Sequence, residues 1–293
     1  MGLGHPGHGR RRRTWDHRCV GGVLFLVGTP IGNLGDLSDR ARETLGSVGL
    51  VAAEDTRRTG RLLRGLGIRK PLVSMFEGNE DDRAAELIQR LAAGEDVAVV
   101  TDGGMPSISD PGYRVVQLAV ERGIDVRVVP GPSAAIAALV LSGLPTDRFV
   151  FEGFLPRRPG DRARRLQALG HDPRTIVFFE SPRRVHTLLR EIVTTLGNRR
   201  VAVCRELTKL HEEVLRGGAE HVLAELDDRA LKGEVAIVVE GEHDPEPPDL
   251  AALLDEVRVL VEGGMRTRDA ARAVAERHGA SANELYRAAI SEG

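Results

Sequence analysis

The chain has 293 residues, room for one large domain or two to three smaller ones. Its 41 Lys and Arg against 43 Asp and Glu give a formal charge of -2, which excludes a uniformly basic nucleic-acid coat protein and an acidic, disordered tail protein. A hydrophobic share of 41% reads as soluble and globular, and no apolar run approaches the roughly 18 residues of a membrane span.

Residues 1–21 carry Gly, His and Arg10 to Arg13, with no apolar core behind them. They read as a disordered basic tail or an upstream start-site artefact, and not as a secretion signal. Cys19 and Cys204 offer neither a disulfide framework nor metal-ligand spacing, which fits a reducing cytoplasm.

From residue 22 the chain alternates short apolar strands with amphipathic helices. Val23–Val27, Val48–Ala53, Val97–Thr101 and Val126–Val129 read as buried strands. Helical patterns over Asp39–Gly46, Thr56–Leu66, Asp81–Ala93 and Tyr113–Gly123 separate them. This alternation predicts an α/β domain over 22–135 with a largely parallel sheet. The pattern restarts with an Ala-rich helix at Ser133–Leu141. Strands at Phe149–Phe151, Thr175–Phe179, Val201–Arg205, Glu213–Leu215 and Val235–Glu240 then alternate with helices at Arg162–Leu169, Arg183–Leu196 and Ala219–Leu226. That is a second α/β domain, 136–241. A Pro-rich linker over 242–249 leads to three helical stretches, Leu250–Glu262, Thr267–His278 and Ala282–Ile290. An S-x-x-E capping box, Ser281 with Glu284, opens the last of them. The 250–293 segment reads as a helix-turn-helix-like module.

In open α/β sheets, ligands sit outside the carboxyl ends of the strands. The Gly-, Pro- and acid-rich segments fall there: 28–34, 54–58, 102–112, 130–134, 180–183 and 206–209. Random loops would fall at both ends, so this convergence points to one large site. It is not a dinucleotide site, because Gly28 and Gly32 are spaced G-x-x-x-G and Pro30 removes an N–H that a pyrophosphate would want. No phosphate-binding G-K-[ST] occurs. His211-Glu212 lacks the second His of H-E-x-x-H, since position 215 is Leu215, so no metal is expected. Cys204 reads as a small buried hydrophobe.

Several segments together carry a resemblance: GTPIGNL at 28–34, AAEDTRRTGRLL at 52–63, ISDPGY at 108–113, PGPSAAI at 130–136 and GLPTDRFVFEGFLP at 143–156. ESPRR at 180–184, RELTKLHEEVLRG at 205–217 and KGE at 232–234 complete the set. From about Val23 to Ile290 the chain resembles the small-subunit ribosomal RNA methyltransferases of the tetrapyrrole methylase superfamily. The resemblance implies two α/β domains with S-adenosyl-L-methionine between them, a helix-turn-helix module behind them, and a homodimer. It implies 2′-O-methylation of a cytidine ribose in the decoding region of 16S ribosomal RNA. It sets the cofactor against Pro30, Ile31, Gly104, Met105, Pro106, Ile108, Ser133, Ala134, Gly233 and Glu234. The family's Asp-Ala-Gly-Thr-Pro loop reads Asp102-Gly103-Gly104-Met105-Pro106 here, so a hydroxyl is lost at Met105.

The residues agree with this as far as they go. The cofactor carries the reactive methyl, and the protein must bind and aim it. A ribose hydroxyl is a very weak acid, so a base or charge stabiliser is expected among Glu54, Asp55, Glu180, Glu206 and Lys209; Glu54 or Glu206 is the first choice for positioning or deprotonating it. RNA also needs phosphate contacts. Six arginines stand against two aspartates over 155–174, including Arg157, Arg158, Arg164 and Arg165. Six basic residues stand against two acids over 54–70, including Arg57 and Arg58. Two rival functions stay open: a methylase of small corrin or porphyrin precursors, and a ribosome-binding factor that has lost catalysis. The basic runs and the C-terminal appendage speak against the first, and only Met105 speaks for the second.

Overall fold

The computed structural model describes residues 21–227, 229–242, 250–278 and 280–291. Nearly all of the basic tail and of the 242–249 linker therefore lies outside the described residues.

The N-terminal unit is a five-stranded sheet: β1 Leu24–Val27, β2 Leu50–Ala53, β3 Leu72–Ser74, β4 Val97–Val100 and β5 Val126–Val129. The order is β3-β2-β4-β1-β5 and every pairing is parallel. Strands buried on both faces must be apolar at every position, and β4 shows why. Val97 and Val99 face α3 (Glu80–Ala92) and α4 (Tyr113–Glu121) in one apolar cluster. Ala98 and Val100 face α1 (Asp39–Ser47) and α2 (Thr56–Gly65) in the other. The chain leaves β1 towards β2 and leaves β4 towards β5, so the crevice between β1 and β4 is a topological switch point.

The second sheet runs β6-β7-β10-β8-β9, with β6 Phe149–Phe154, β7 Thr175–Glu180, β8 Arg200–Arg205, β9 Glu213–Gly218 and β10 Val235–Val239. β6 pairs parallel with β7, and every other pairing is antiparallel. No helix separates β8 from β9, so the second must return beside the first. Val235 opens β10 opposite both Glu180 and Arg205, which gathers the ends of β7 and β8 and the start of β10 on one edge. The outer face is covered by α6 (Pro159–Ala168), α7 (Val185–Leu196) and α8 (Ala219–Leu226). The inner face is covered by α5 (Ala134–Ser142), whose Ala135, Ala138 and Leu139 pack on Val177, Ala202, Cys204, Ala236 and Val238.

Three helices, α9 Leu250–Glu262, α10 Thr267–His278 and α11 Ala282–Ser291, close the chain around their own core of Leu253, Val257, Val274 and Leu285. The Glu284 N–H donates to Ser281 Oγ at 3.4 Å, one half of the expected capping box.

Candidate functional site

The loops after β1, β4 and β5 interlock before any ligand is considered. Thr29 and Gly104 exchange two backbone hydrogen bonds of 3.0 Å, and Thr29 Oγ1 donates to the Thr101 carbonyl. Gly28 crosses Gly131 so closely that a Cβ at Gly28 would stand 2.6 Å from the Gly131 Cα. Only glycine fits such a crossing. Pro30, Pro106 and Pro132 stiffen the same loops.

The loops after β2 and β4 are tied by paired acids. The Asp55 N–H donates to Asp102 Oδ1 and the Asp102 N–H donates to Glu54 Oε2, both at 3.2 Å. Arg58 completes the lock through Asp102 Oδ2 at 3.0 Å. Glu80 accepts from the Gly112 and Arg114 N–H groups, each at 2.9 Å, and so fixes the entry to α4. Between these anchors Ser107 and Ser109 adopt left-handed φ of 69° and 59°. Glu206 and Thr208, in the loop after β8, do so at 53° and 64°. Left-handed backbone at residues other than glycine costs energy, and it clusters here on facing loops.

Those loops bound a cleft of about 520 Å³ between the two units. The N-terminal wall supplies Ile31, Glu54, Arg58, Asp102, Gly103, Ser109 and Asp110. The C-terminal wall supplies Phe154, Phe179, Glu180, Cys204, Leu207, Gly233, Glu234 and Ala236, with Ala134 at the start of α5. Burial raises the Glu54 carboxyl above its usual range, although the Asp102 N–H opposes the shift. Burial, followed by the charges of Glu54 and Asp102, pushes Asp110 up to about 7. Cys204 is fully buried at the cleft floor, and burial pushes its thiol up to about 11.

The residues singled out from the sequence divide into three groups. Glu54, Ile31, Ala134, Gly233, Glu234 and Arg58 line the cleft. A second group builds its frame. Gly104 lies in the bridge to Thr29, Met105 packs its sulfur over Gly28, Pro106 is buried, and Ser133 caps α5 through the Ile136 N–H. Pro30 lines an adjoining concavity with Arg58 and Asp102, and Ile108 is exposed beside the strained loop. Met105 thus sits in the seam between loops, and the hydroxyl lost there leaves the Gly103 and Gly104 backbone in place. Glu206 and Lys209 form the third group. Lys209 Nζ contacts Glu206 Oε1 at 2.7 Å and Glu234 Oε2 at 2.8 Å. Burial alone would raise Glu206, but the Lys209 hydrogen bond and the Glu234 N–H outweigh it and hold the carboxyl below its usual range. The carboxylate lies against the Gly233 Cα, where a Cβ would meet it at 2.1 Å. The arginines differ as well. Arg57 is paired with Asp55, Arg164 with Asp161 and Arg165 with Glu152. Arg157 and Arg158 are exposed and hold no ion pair among the described residues.

Asp102, Asp110 and Phe154 were not singled out from the sequence. Asp110 sits in a recognisable Asp-Pro-Gly loop, but only the fold buries it beside Glu54. Phe154 is 58% exposed at the end of β6, and nothing in the sequence distinguishes it from other strand residues.

The cleft suits a cofactor with a cationic centre, an amino-acid tail and a flat base. It has the volume of a small-molecule site, with Glu54, Asp102 and Asp110 on one wall and Glu180 and Glu234 set among apolar residues on the other. Glu180 Oε2 is buried on that second wall with no hydrogen-bond partner among the described residues, so a donor is wanted there. Among the described residues no cluster of His, Cys, Asp and Glu could hold a metal, and no helix is long and apolar enough to cross a membrane.

Comparison with known proteins places this architecture. The family model for Tetrapyrrole (Corrin/Porphyrin) Methylases matches residues 23–223. The Ribosomal RNA small subunit methyltransferase I of Synechocystis sp. is 43% identical over 92% of this chain and 98% of its own length. That of Thermotoga maritima is 47% identical over 222 residues, 76% of this chain and 100% of its own length. Among solved structures, the methyltransferase CobJ superposes with a TM-score of 0.57 over 75% of this chain and 94% of its own, at 18% identity. The chain belongs to the tetrapyrrole methylase family and, within it, to the ribosomal RNA small subunit methyltransferase I group.

Proposed function

We propose that this protein uses S-adenosyl-L-methionine to methylate the 2′-oxygen of a cytidine ribose in the decoding region of 16S ribosomal RNA. The observation that carries the reading is relatedness: relatives that span almost the whole chain bear the name of a small-subunit ribosomal RNA methyltransferase. The cleft supports it, because it joins a proton acceptor to a stacking surface.

Bound S-adenosyl-L-methionine supplies an electrophilic methyl on sulfur. The protein must receive the hydroxyl proton that transfer to the 2′-oxygen would release. Glu54 is the acceptor at the cleft wall, fixed by the Asp102 N–H and raised by burial towards a useful basicity. Asp110 beside it shares the load of negative charge. Ile31, Gly103, Ala134, Gly233 and Ala236 would hold the cofactor. Phe154 and Phe179, with ring centroids 5.8 Å apart and edge to face, offer the nucleobase a stacking platform. Lys209, clamped between Glu206 and Glu234, holds the C-terminal loops closed rather than donating a proton. Arg157 and Arg158, exposed and without an ion pair among the described residues, would supply phosphate contacts. The reading includes a cytoplasmic homodimer, and the exposed Ile136 and Val140 of α5 support the dimer.

The test is transfer of tritiated methyl from S-adenosyl-L-methionine into 30S subunits, followed by mapping of the modified nucleotide. One 2′-O-methylcytidine in the decoding region is expected. Incorporation into porphyrin precursors but not into subunits would replace this reading with small-molecule methylation. Cofactor binding without incorporation into either would replace it with a non-catalytic ribosome-binding role.

A further inference from the structure

A second concavity, about 580 Å³, opens beside the cleft on the C-terminal unit. Pro182 lines both, and Lys232 on its rim is followed directly by the cleft residues Gly233 and Glu234. Its charged lining is cationic without exception: Arg183, Arg190, Arg229 and Lys232, with His186 among them. Arg229 is committed to Glu213 at 2.8 Å. Arg183, Arg190 and Lys232 hold no ion pair among the described residues. His186 Nε2 is buried there with no hydrogen-bond partner among them.

The placement follows from helix geometry. Arg183 precedes α7 in a single 3₁₀ turn, and His186 and Arg190 follow it at intervals of three and seven residues, so the three share one side of the helix. The opposite side buries Leu188, Leu189 and Ile192 in the core of the second sheet. Lys232 joins them from the loop before β10. Three cations held in one concavity without counter-ions repel one another, and a polyanion relieves that cost. The neighbouring α6 shows the contrast: Arg162, Arg164 and Arg165 are each already paired with a carboxylate of the same unit.

We propose that the Arg183–Arg190–Lys232 groove binds the phosphate backbone of the RNA on one side of the methylated nucleotide. This rests on the RNA-methylating reading above. Such contacts fix register and carry affinity without reading sequence.

The experiment compares the full chain with its Arg183→Gln, Arg190→Gln, Lys232→Gln triple variant. Binding to 30S subunits lacking the methyl group is measured as a function of salt, with S-adenosyl-L-methionine binding as the control. The triple variant is expected to bind subunits about 10- to 100-fold more weakly at 0.1 M salt, and its log–log salt slope to fall by about two to three. Its cofactor affinity stays at the wild-type value. If the triple variant does not fold, each single variant is expected to lower the slope by about one. Unchanged subunit affinity and slope, in a series whose wild-type chain methylates subunits, overturn the groove alone. A wild-type chain that neither binds nor methylates subunits overturns the RNA reading and the groove with it.

Discussion

The N-terminal wall of the cleft presents Glu54, Asp102 and Asp110 with one guanidinium, whereas the C-terminal wall sets Glu180 and Glu234 among Phe154, Phe179, Leu207 and Ala236. The difference follows from strand direction. In an all-parallel sheet every strand ends on the same edge, so the wall is made of loops, and loops carry polar groups. In the second sheet β10 runs against its neighbours, so the ends of β7 and β8 and the start of β10 share the edge that faces the cleft. The strand ends there bring Phe154, Phe179, Cys204 and Ala236 to the wall, and these are apolar. One wall is therefore suited to moving a proton and the other to gripping flat molecules.

The largest expected effect breaks the first wall. Glu54→Gln keeps an acceptor for the Asp102 N–H but cannot take a proton. Single-turnover methyl transfer into 30S subunits should fall about 10²- to 10⁴-fold. Cofactor affinity, measured by calorimetry, should change less than about threefold. A rate within threefold of wild type would move the base elsewhere on that wall. The next effect breaks the second wall. Phe154→Ala removes an exposed ring, so the fold should survive. Loss of one stacking partner is worth about 1–3 kcal/mol, so KM for subunits should rise about 10-fold while kcat holds within about twofold. A fall in kcat at constant KM would mean that the ring aligns the reacting ribose instead of holding the base.

The same contrast explains what the sequence made legible. Apolar runs located β1, β2, β4 and β5, and in β2 and β4, buried at every position, no other pattern was open. The edge strand β3, three half-buried residues after Pro71, gave no such run and went unread. Loop composition found the polar wall, since Gly, Pro and acid at strand ends are visible in one dimension. It did not find the carboxylate cluster, because Glu54 and Asp110 meet only through tertiary packing. The apolar wall was hidden too: Phe154, at the end of β6, reads like any strand residue. Local charge counting met the same limit. The 155–174 run is rich in arginine, yet Arg162, Arg164, Arg165 and Arg174 are each held by a nearby acid. The unpaired basic face comes from α7 and the loop before β10, two segments about 40 residues apart in the chain.

Asp110 gives the smallest change in rate and the most direct reading of how the acidic wall works. Its pKa of about 7 comes from burial and from the charges of Glu54 and Asp102. An unfolded aspartate titrates near 4, so between about pH 4 and 7 the folded chain binds more protons than the unfolded one. Stability contributed here is greatest at low pH and is lost as pH rises through 7, the reverse of a salt-bridged carboxylate. Asp110→Asn removes that loss. Its melting temperature should exceed the wild-type value by a few degrees at pH 8, of order 2–4 °C per kcal/mol. The two should converge near pH 4, as scanning calorimetry across pH would show. Catalysis should respond in the same direction. The two carboxyls titrate as a coupled pair, so without Asp110 the acid limb of kcat/KM should move to lower pH while the rate at pH 8 changes less than about threefold. An acid limb that stays in place would show that Asp110 titrates without feeling the base. The wall would then be two independent carboxylates and not one coupled cluster.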